Sequence, residues 1–222
     1  YRAPGSDEGY TVPKEQIFEK IDELVSLGGS EEKSNEILMQ GGLNPKLKID
    51  YYEDLFSSIK EKYPEIHQHC LSATEILYIA HISKLSLEDC IRRLRDAGLD
   101  SIPGAGAEIL SDEVRDVIGF RKDRTHEWLE AHRIAHELGM RTSATMMYGH
   151  VEKDRHIIES LEHIRGVQDL ALKNGNDGGF TAFIPWSYKK DNTALAKLVD
   201  DEAGPNQYLR IIAISRIMLD NV

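Results

Sequence analysis

The amino-acid sequence reads as an α/β chain forming part of a (β/α) barrel. Three observations point there. Apolar runs alternate with stretches of helical period, a rhythm that brings right-handed crossovers and a parallel sheet. The runs are short, as barrel strands are. They also end in glycine or polar residues, at the end where such folds gather their ligands.

Tyr1 to Tyr10 is a loop without period. Thr11-Val-Pro-Lys-Glu then opens a helix, with Pro13 tolerated in its first turn and Gly28-Gly29 as its stop. Ile37 to Gln40 is a strand too short to be a helix, followed at once by Gly41-Gly42 and Asn44-Pro45. Asp50-Tyr-Tyr-Glu53 has capping-box form and opens a helix that Pro64 stops. Ile66 to Leu71 is the second strand. Ser72-Ala-Thr-Glu75 is a stronger capping box, and a further helix begins at Ser86 and ends near Gly98. Ser101 to Glu108 is a brief strand ending in small residues, followed by helices near Asp112–Ile118 and Thr125–Leu138. Arg141 to Met147 is a strand ended by Gly149-His150. A long polar helix covers Lys153–Asn174. Gly179 to Ile184 is a strand that Pro185 stops, and an apolar helix around Tyr208–Met218 closes the chain.

Five strands in 222 residues leave such a barrel open. The chain therefore reads as a piece of one domain, residues 1–222, with at least one strand expected before it and two after. Its net charge of −11, from 27 basic and 38 acidic residues, and its lack of a Lys/Arg run argue against nucleic acid as a partner. No apolar stretch approaches the ~20 residues of a membrane span. Cys70 and Cys90, two cysteines in a chain this long, suggest a reducing, cytoplasmic compartment.

Several residues can carry chemistry. Gln40, Gly41 and Gly42 sit at a strand's end, where two adjacent glycines leave backbone N–H groups open to a ligand. His67 and His69 share one face of a strand and form either a metal pair or core histidines, with His69 nearer the ligand end. His132 and His136 lie one turn apart, without the glutamate of His-Glu-x-x-His, and read as the packed face of a helix. Ser72 is an N-cap, a ligand hydroxyl, or both. Glu108 suits a ribose hydroxyl or an ammonium, or a helix entry. Thr145 and His150 end a strand. Trp186, beyond a strand's end, suits stacking on a planar ligand or barrel-top packing. Cys70 reads as a small buried residue.

Further motifs occur together in one order: Tyr1-Arg-Ala-Pro-Gly5, Gln40-Gly-Gly-Leu-Asn-Pro45, His67-x-His-x-Leu-Ser-Ala73, Ser101-Ile-Pro-Gly-x-Gly-Ala-Glu-Ile-Leu110, Thr145-Met-Met-Tyr-Gly-His150, Gly179-Phe-Thr-Ala-Phe-Ile-Pro-Trp186 and Tyr208-Leu-Arg-x-x-Ala-Ile-Ser-Arg216. Over nearly its whole length the chain thereby resembles the dehypoxanthine futalosine cyclase family. These are radical S-adenosylmethionine (SAM) enzymes of the futalosine route to menaquinone, with a TIM-type barrel. Aminofutalosine synthase and the hydroxybenzyl-transferring half of deazaflavin (FO) synthase are close to it. Leu71, where those relatives tend to Phe, favours the cyclase. The family's C-x3-C-x2-C motif, whose thiolates hold a 4Fe–4S cluster, stands just upstream of its Tyr-Arg-Ala-Pro segment. Neither Cys70 nor Cys90 belongs to that motif.

The resemblance implies SAM and a 4Fe–4S cluster as cofactors, a nucleoside-like small molecule as substrate, and an electron donor. It implies that a 5′-deoxyadenosyl radical takes hydrogen from the ribosyl C4′ of dehypoxanthine futalosine. The sugar radical then closes onto the aromatic ring, and an electron and a proton leave. Gln40, Gly41 and Gly42 match the motif that meets the SAM amino group. Ser72 and Glu108 are expected at the SAM ribose or at polar groups of the substrate. His69, Thr145, His150 and Trp186 are expected at the substrate, with His150 as acceptor of the final proton. The alternatives are a related radical SAM transferase and a cluster-free barrel that binds nucleoside-like ligands.

Overall fold

The computed structural model describes residues 6–27, 36–119 and 122–222. The Tyr1–Gly5 segment and the Gly28-Gly29 helix stop lie outside those residues. Two compact units divide the chain, Tyr1–Pro103 and Gly104–Val222.

The first unit runs α1 (Lys14–Leu27), β1 (Glu36–Met39), α2 (Ile49–Lys62), β2 (His67–Cys70), α3 (Ala73–Ser83), α4 (Leu87–Asp96) and β3 (Ser101–Ile102). Its strands pair in parallel, β1 with β2 and β2 with β3. In register, Glu36 faces His67, Leu38 faces His69, and His69 faces Ser101, so these five share one side of the sheet. The opposite side carries buried Gln68 and Cys70 and is covered by helices. In α2, Ile49, Tyr52, Leu55, Phe56 and Ile59 form one buried stripe at helical spacing. Gln68 ties that layer together, its amide donating to the carbonyls of Phe56 and Gly98, each at 3.0 Å.

The second unit runs α5 (Asp112–Ile118), α6 (Thr125–Glu137), β4 (Arg141–Tyr148), α7 (Asp154–Asn174), β5 (Gly179–Ser187), a 3₁₀ turn at Ala194–Leu198 and α8 (Pro205–Met218). β4 and β5 are parallel. Within each unit the strands are parallel and alternate with helices, as the βα rhythm predicts. The buried face of α6 carries Trp128, His132 and His136 around Phe180 of β5, with Trp128 stacked on the Phe180 ring, His132 tilted to it and His136 edge-on. Burial pushes His136 down to about 4 and His132 well below its ordinary value. These two histidines are core residues, as their spacing suggests.

Four local expectations change. The Asp50–Glu53 box does not cap α2: Lys48 stands at the N-cap without a side-chain bond, and both carboxylates pair with Arg93 of α4. A carboxylate that reaches a guanidinium forms a stronger bond than one to a neutral N–H. The Ser101–Glu108 strand shrinks to two residues. Pro185 does not stop β5, which continues to Ser187. β4 is its strand partner among the described residues, so the missing N–H of Pro185 costs the ladder little. Strict alternation would also put Phe180 and Ala182 on one face. A bulge between Thr142 and Ser143 pairs them with Phe180 and Ala182 and skips Thr181, so Phe180 turns to α6 and Ala182 to the other side.

Candidate functional site

In the first unit the end of β1 passes into Gln40-Gly41-Gly42. Gly42 has φ +74°, a left-handed conformation that favours glycine. A cavity of about 810 Å³ opens beside this loop, its wall including Tyr10, Ile17, Gln40, Gly41, Tyr52 and Leu71. The Gly41 and Gly42 N–H groups are not open to a ligand. Both donate to Glu75 Oε1, each at 2.8 Å. The other oxygen, Oε2, accepts from the Ser72 N–H and the Ser72 hydroxyl, each at 2.7 Å. Ser72 also accepts from the Glu75 N–H, which completes the capping box of α3. The Ser72 hydroxyl hydrogen is therefore spent within the chain, and the residue acts as a cap at the cavity's edge.

This arrangement turns the loop's other atoms outward. The peptides are trans, so each C=O points away from the N–H of its own unit. With the Gly41 and Gly42 N–H groups drawn to Glu75, the carbonyls of Gln40 and Gly41 point away from it. Carbonyls turned outward in this way can accept from an ammonium. Leu71, between β2 and α3, holds φ +59° although buried, a strained position of the kind that clusters at functional sites.

On the shared side of β1–β3, His67 Nε2 and His69 Nδ1 both meet Ser101 Oγ, at 2.7 and 2.6 Å. One hydroxyl carries one hydrogen, so Ser101 donates to at most one ring and at least one ring donates to it, and the tautomers are linked. The Nε2 of His69 is its remaining nitrogen. Burial lowers the His69 pKa; Glu36 opposes the shift and His67 adds to it. The imidazole is thus held neutral at neutral pH. Leu38 beside it is 66% exposed, so this side of the sheet is open.

In the second unit the loop after Pro103 is anchored along its main chain. The carbonyls of Gly104, Ala105, Gly106, Ala107 and Glu108 accept in turn from Thr145 Oγ1, Trp128 Nε1, Arg115 Nη1 twice, and the Met147 N–H. The Gly104 N–H donates to Ser143 Oγ, and a Cβ on Gly104 would stand 2.5 Å from the Ser143 carbonyl. Only glycine permits that approach. Thr145 is buried, its hydroxyl hydrogen committed to Gly104, and so supports the loop. Glu108 is not in the first turn of α5; its carboxylate pairs with Lys122 at 2.9 Å and its φ is +41°. His150 has an enclosed side chain. Its Nε2 lies 2.9 Å from the Met147 carbonyl; its Nδ1 lies 3.2 Å from Glu152 Oε2 but has no hydrogen-bond partner among the described residues. Trp186, by contrast, is 50% exposed beside Met147 and Ile184. Sequence reasoning found Ser72 and Glu75 as a cap. It missed Glu75 as the partner of Gly41 and Gly42, and Ser101 as the partner of His67 and His69, because both links span more than thirty residues.

The residues present fit one expected cofactor and not the other. The Gln40–Gly42 loop and its cavity suit the ammonium end of SAM. Cys70 and Cys90 do not suit an iron–sulfur cluster. Burial pushes each thiol up to about 12, and their sulfurs contact the carbonyls of Ile37 and Ile76. Cluster ligation needs thiolates.

Residues 2–164 match the family model of the Radical SAM superfamily, and residues 177–222 match that of the CofH/MqnC C-terminal region. The chain is 42% identical over 222 residues to a cyclic dehypoxanthine futalosine synthase of Halalkalibacterium halodurans, covering 100% of this chain and 56% of that protein. The protein of the same name from Streptomyces coelicolor is 41% identical over 223 residues, covering 100% and 53%. A 5-amino-6-(D-ribitylamino)uracil–L-tyrosine 4-hydroxyphenyl transferase of Methanosarcina barkeri is 38% identical over 218 residues, covering 96% and 55%. The chain spans about half the length of these curated relatives.

Proposed function

The chain belongs to the radical SAM superfamily, and on that premise we propose that it is the larger part of the catalytic barrel of an enzyme that cyclises dehypoxanthine futalosine for menaquinone synthesis. The observation that carries this reading is the Gln40–Gly42 loop, whose carbonyls turn away from Glu75 at the wall of a large cavity. When bound and reductively cleaved, SAM supplies a radical that takes hydrogen from a substrate ribose.

In this reading the Gln40 and Gly41 carbonyls hold the SAM ammonium. The Nε2 of His69 faces polar groups of the substrate, and burial disfavours protonation of the ring. Trp186 supplies an exposed aromatic face for a planar substrate group. Ser72 and Thr145 are committed to the chain itself and shape the surroundings, while the Nδ1 of His150 is the nitrogen that would accept the final proton. Glu108 retains only its second carboxylate oxygen for a ligand.

The transferase reading has support of its own, since the relatives at 38% identity carry transferase names. Product analysis decides between them. The full-length protein, reconstituted anaerobically and given dehypoxanthine futalosine, is expected to release the cyclic product. A product carrying an added adenosyl or hydroxybenzyl group would overturn the cyclase reading.

A Gly41→Val variant checks the loop. A Cβ at Gly41 meets nothing within 4 Å, so the substitution fills open space without disturbing the fold. SAM affinity is expected to fall by at least about tenfold, with the melting temperature unchanged within about 2 °C. Unaltered SAM binding in a folded variant would remove the loop from the site.

A further inference from the structure

Glu75 is 4% exposed, and each donor to its carboxylate is neutral: the N–H groups of Gly41, Gly42 and Ser72, and the Ser72 hydroxyl. Among the described residues no lysine, arginine or histidine forms an ion pair with it. The titratable groups near it are Tyr52 and Cys70. Burial first, and Glu75 after it, raise Tyr52 above its usual value. Burial takes Cys70 up to about 12, with Glu75 a smaller contributor, so both stay neutral. Desolvating a carboxylate is costly unless it is both hydrogen-bonded and paired. The hydrogen bonds are complete here, and among the described residues no cationic side chain supplies the countercharge.

We propose that Glu75 is a positioning residue for a cationic ligand group, holding the Gly41–Gly42 loop so that the Gln40 and Gly41 carbonyls receive the SAM ammonium, whose charge balances its own. The inference rests on the SAM reading above and adds the residue that sets the loop. Glu75 does not line the cavity; it stands behind the two glycines that do. It acts through two peptide units. A carboxylate accepting from an N–H polarises that peptide and makes its carbonyl a stronger acceptor, and such chains reinforce one another in a low-dielectric interior. The same geometry disfavours an anion or a neutral group at the loop, so it selects for the amino end of the ligand.

The test uses the full-length protein with its cluster, in equilibrium dialysis. The two probes are SAM and an analogue in which hydrogen replaces the amino group. Glu75→Gln keeps the size and removes the charge. It is expected to weaken SAM binding by about ten- to a hundredfold, and binding of the analogue by less than about twofold. A merely structural role would weaken both ligands alike, and that result, or an unchanged SAM affinity, overturns the proposal. A second measurement needs no substitution. The ¹³C carbonyl resonances of Gln40 and Gly41 are expected to move on addition of SAM and to stay in place with the analogue. Resonances that ignore SAM while SAM binds overturn it as well. If the unsubstituted protein binds no SAM, the SAM reading itself fails and takes this inference with it, an outcome distinct from SAM binding that is indifferent to Glu75.

Discussion

Arg115→Ala is expected to destabilise the protein by about 3–5 kcal/mol. Arg115 is 1% exposed and pairs with Asp123 at 3.0 Å, itself 7% exposed. Burial lowers the Arg115 pKa, and the charge of Asp123 is the main opposing influence. The guanidinium also donates to the carbonyls of Gly106, Ala107 and Asp123. Truncation would strip Asp123 of its guanidinium in a desolvated place and leave loop carbonyls without donors. Each such loss costs about 1–3 kcal/mol, and more where a charge is involved. For a chain of this size a kilocalorie corresponds to roughly 2–4 °C, so the melting temperature should fall by about 6–20 °C. The double variant Arg115→Met/Asp123→Leu should recover part of that loss, because it also removes the buried carboxylate that faced the guanidinium. A fall of less than about 2 °C in Arg115→Ala would show that the loop after Pro103 does not depend on this residue.

The second expected result is a loss of stability under mild acid, set by His132 and His136. His136 titrates near 4 in the folded protein, lowered by burial, while an unfolded histidine titrates near 6.5. As pH falls through 6.5 the unfolded chain takes up the proton first. Stability is therefore fully present above about 6.5 and is lost progressively toward about 4. The His136 contribution alone is roughly 3 kcal/mol. His132 adds to it in the same direction. It lies against Trp128 at a ring separation of 3.9 Å, and neither of its ring nitrogens has a hydrogen-bond partner among the described residues. Urea unfolding at pH 7.5, 6 and 5 measures the slope. His132→Phe should flatten it and leave the protein as stable or more so at pH 7.5, since an apolar ring replaces an unsatisfied one. An unfolding free energy independent of pH between 7.5 and 5 would refute the assignment.

Much of this molecule is legible without coordinates. The order of helices and strands follows from periodicity, and the Ser72–Glu75 box is read from four residues because both of its bonds close within one helical turn. The same is true of the helical stripe through His132 and His136. The box at Asp50–Glu53 misled because Arg93, forty residues away from Glu53, offered those carboxylates a stronger partner. The face of Phe180 misled because one unpaired residue in β5 reverses the parity of everything before it.

The candidate site divides in the same way. The local chain settled that Gln40-Gly41-Gly42 ends a strand and that Ser72 caps a helix, since each depends only on near neighbours; Trp186, expected beyond a strand's end, lies within β5. Tertiary structure alone decided what those groups touch. Glu75 reaches Gly41 across 34 residues because β1 and β2 pair in parallel and bring the start of α3 beside the β1 loop. Ser101 joins His67 and His69 because β3 pairs beside β2 in the same register. Short-range bonds are encoded in residue type and spacing. Which distant group satisfies a buried donor or acceptor is set by strand register, and register exists only once the strands are packed.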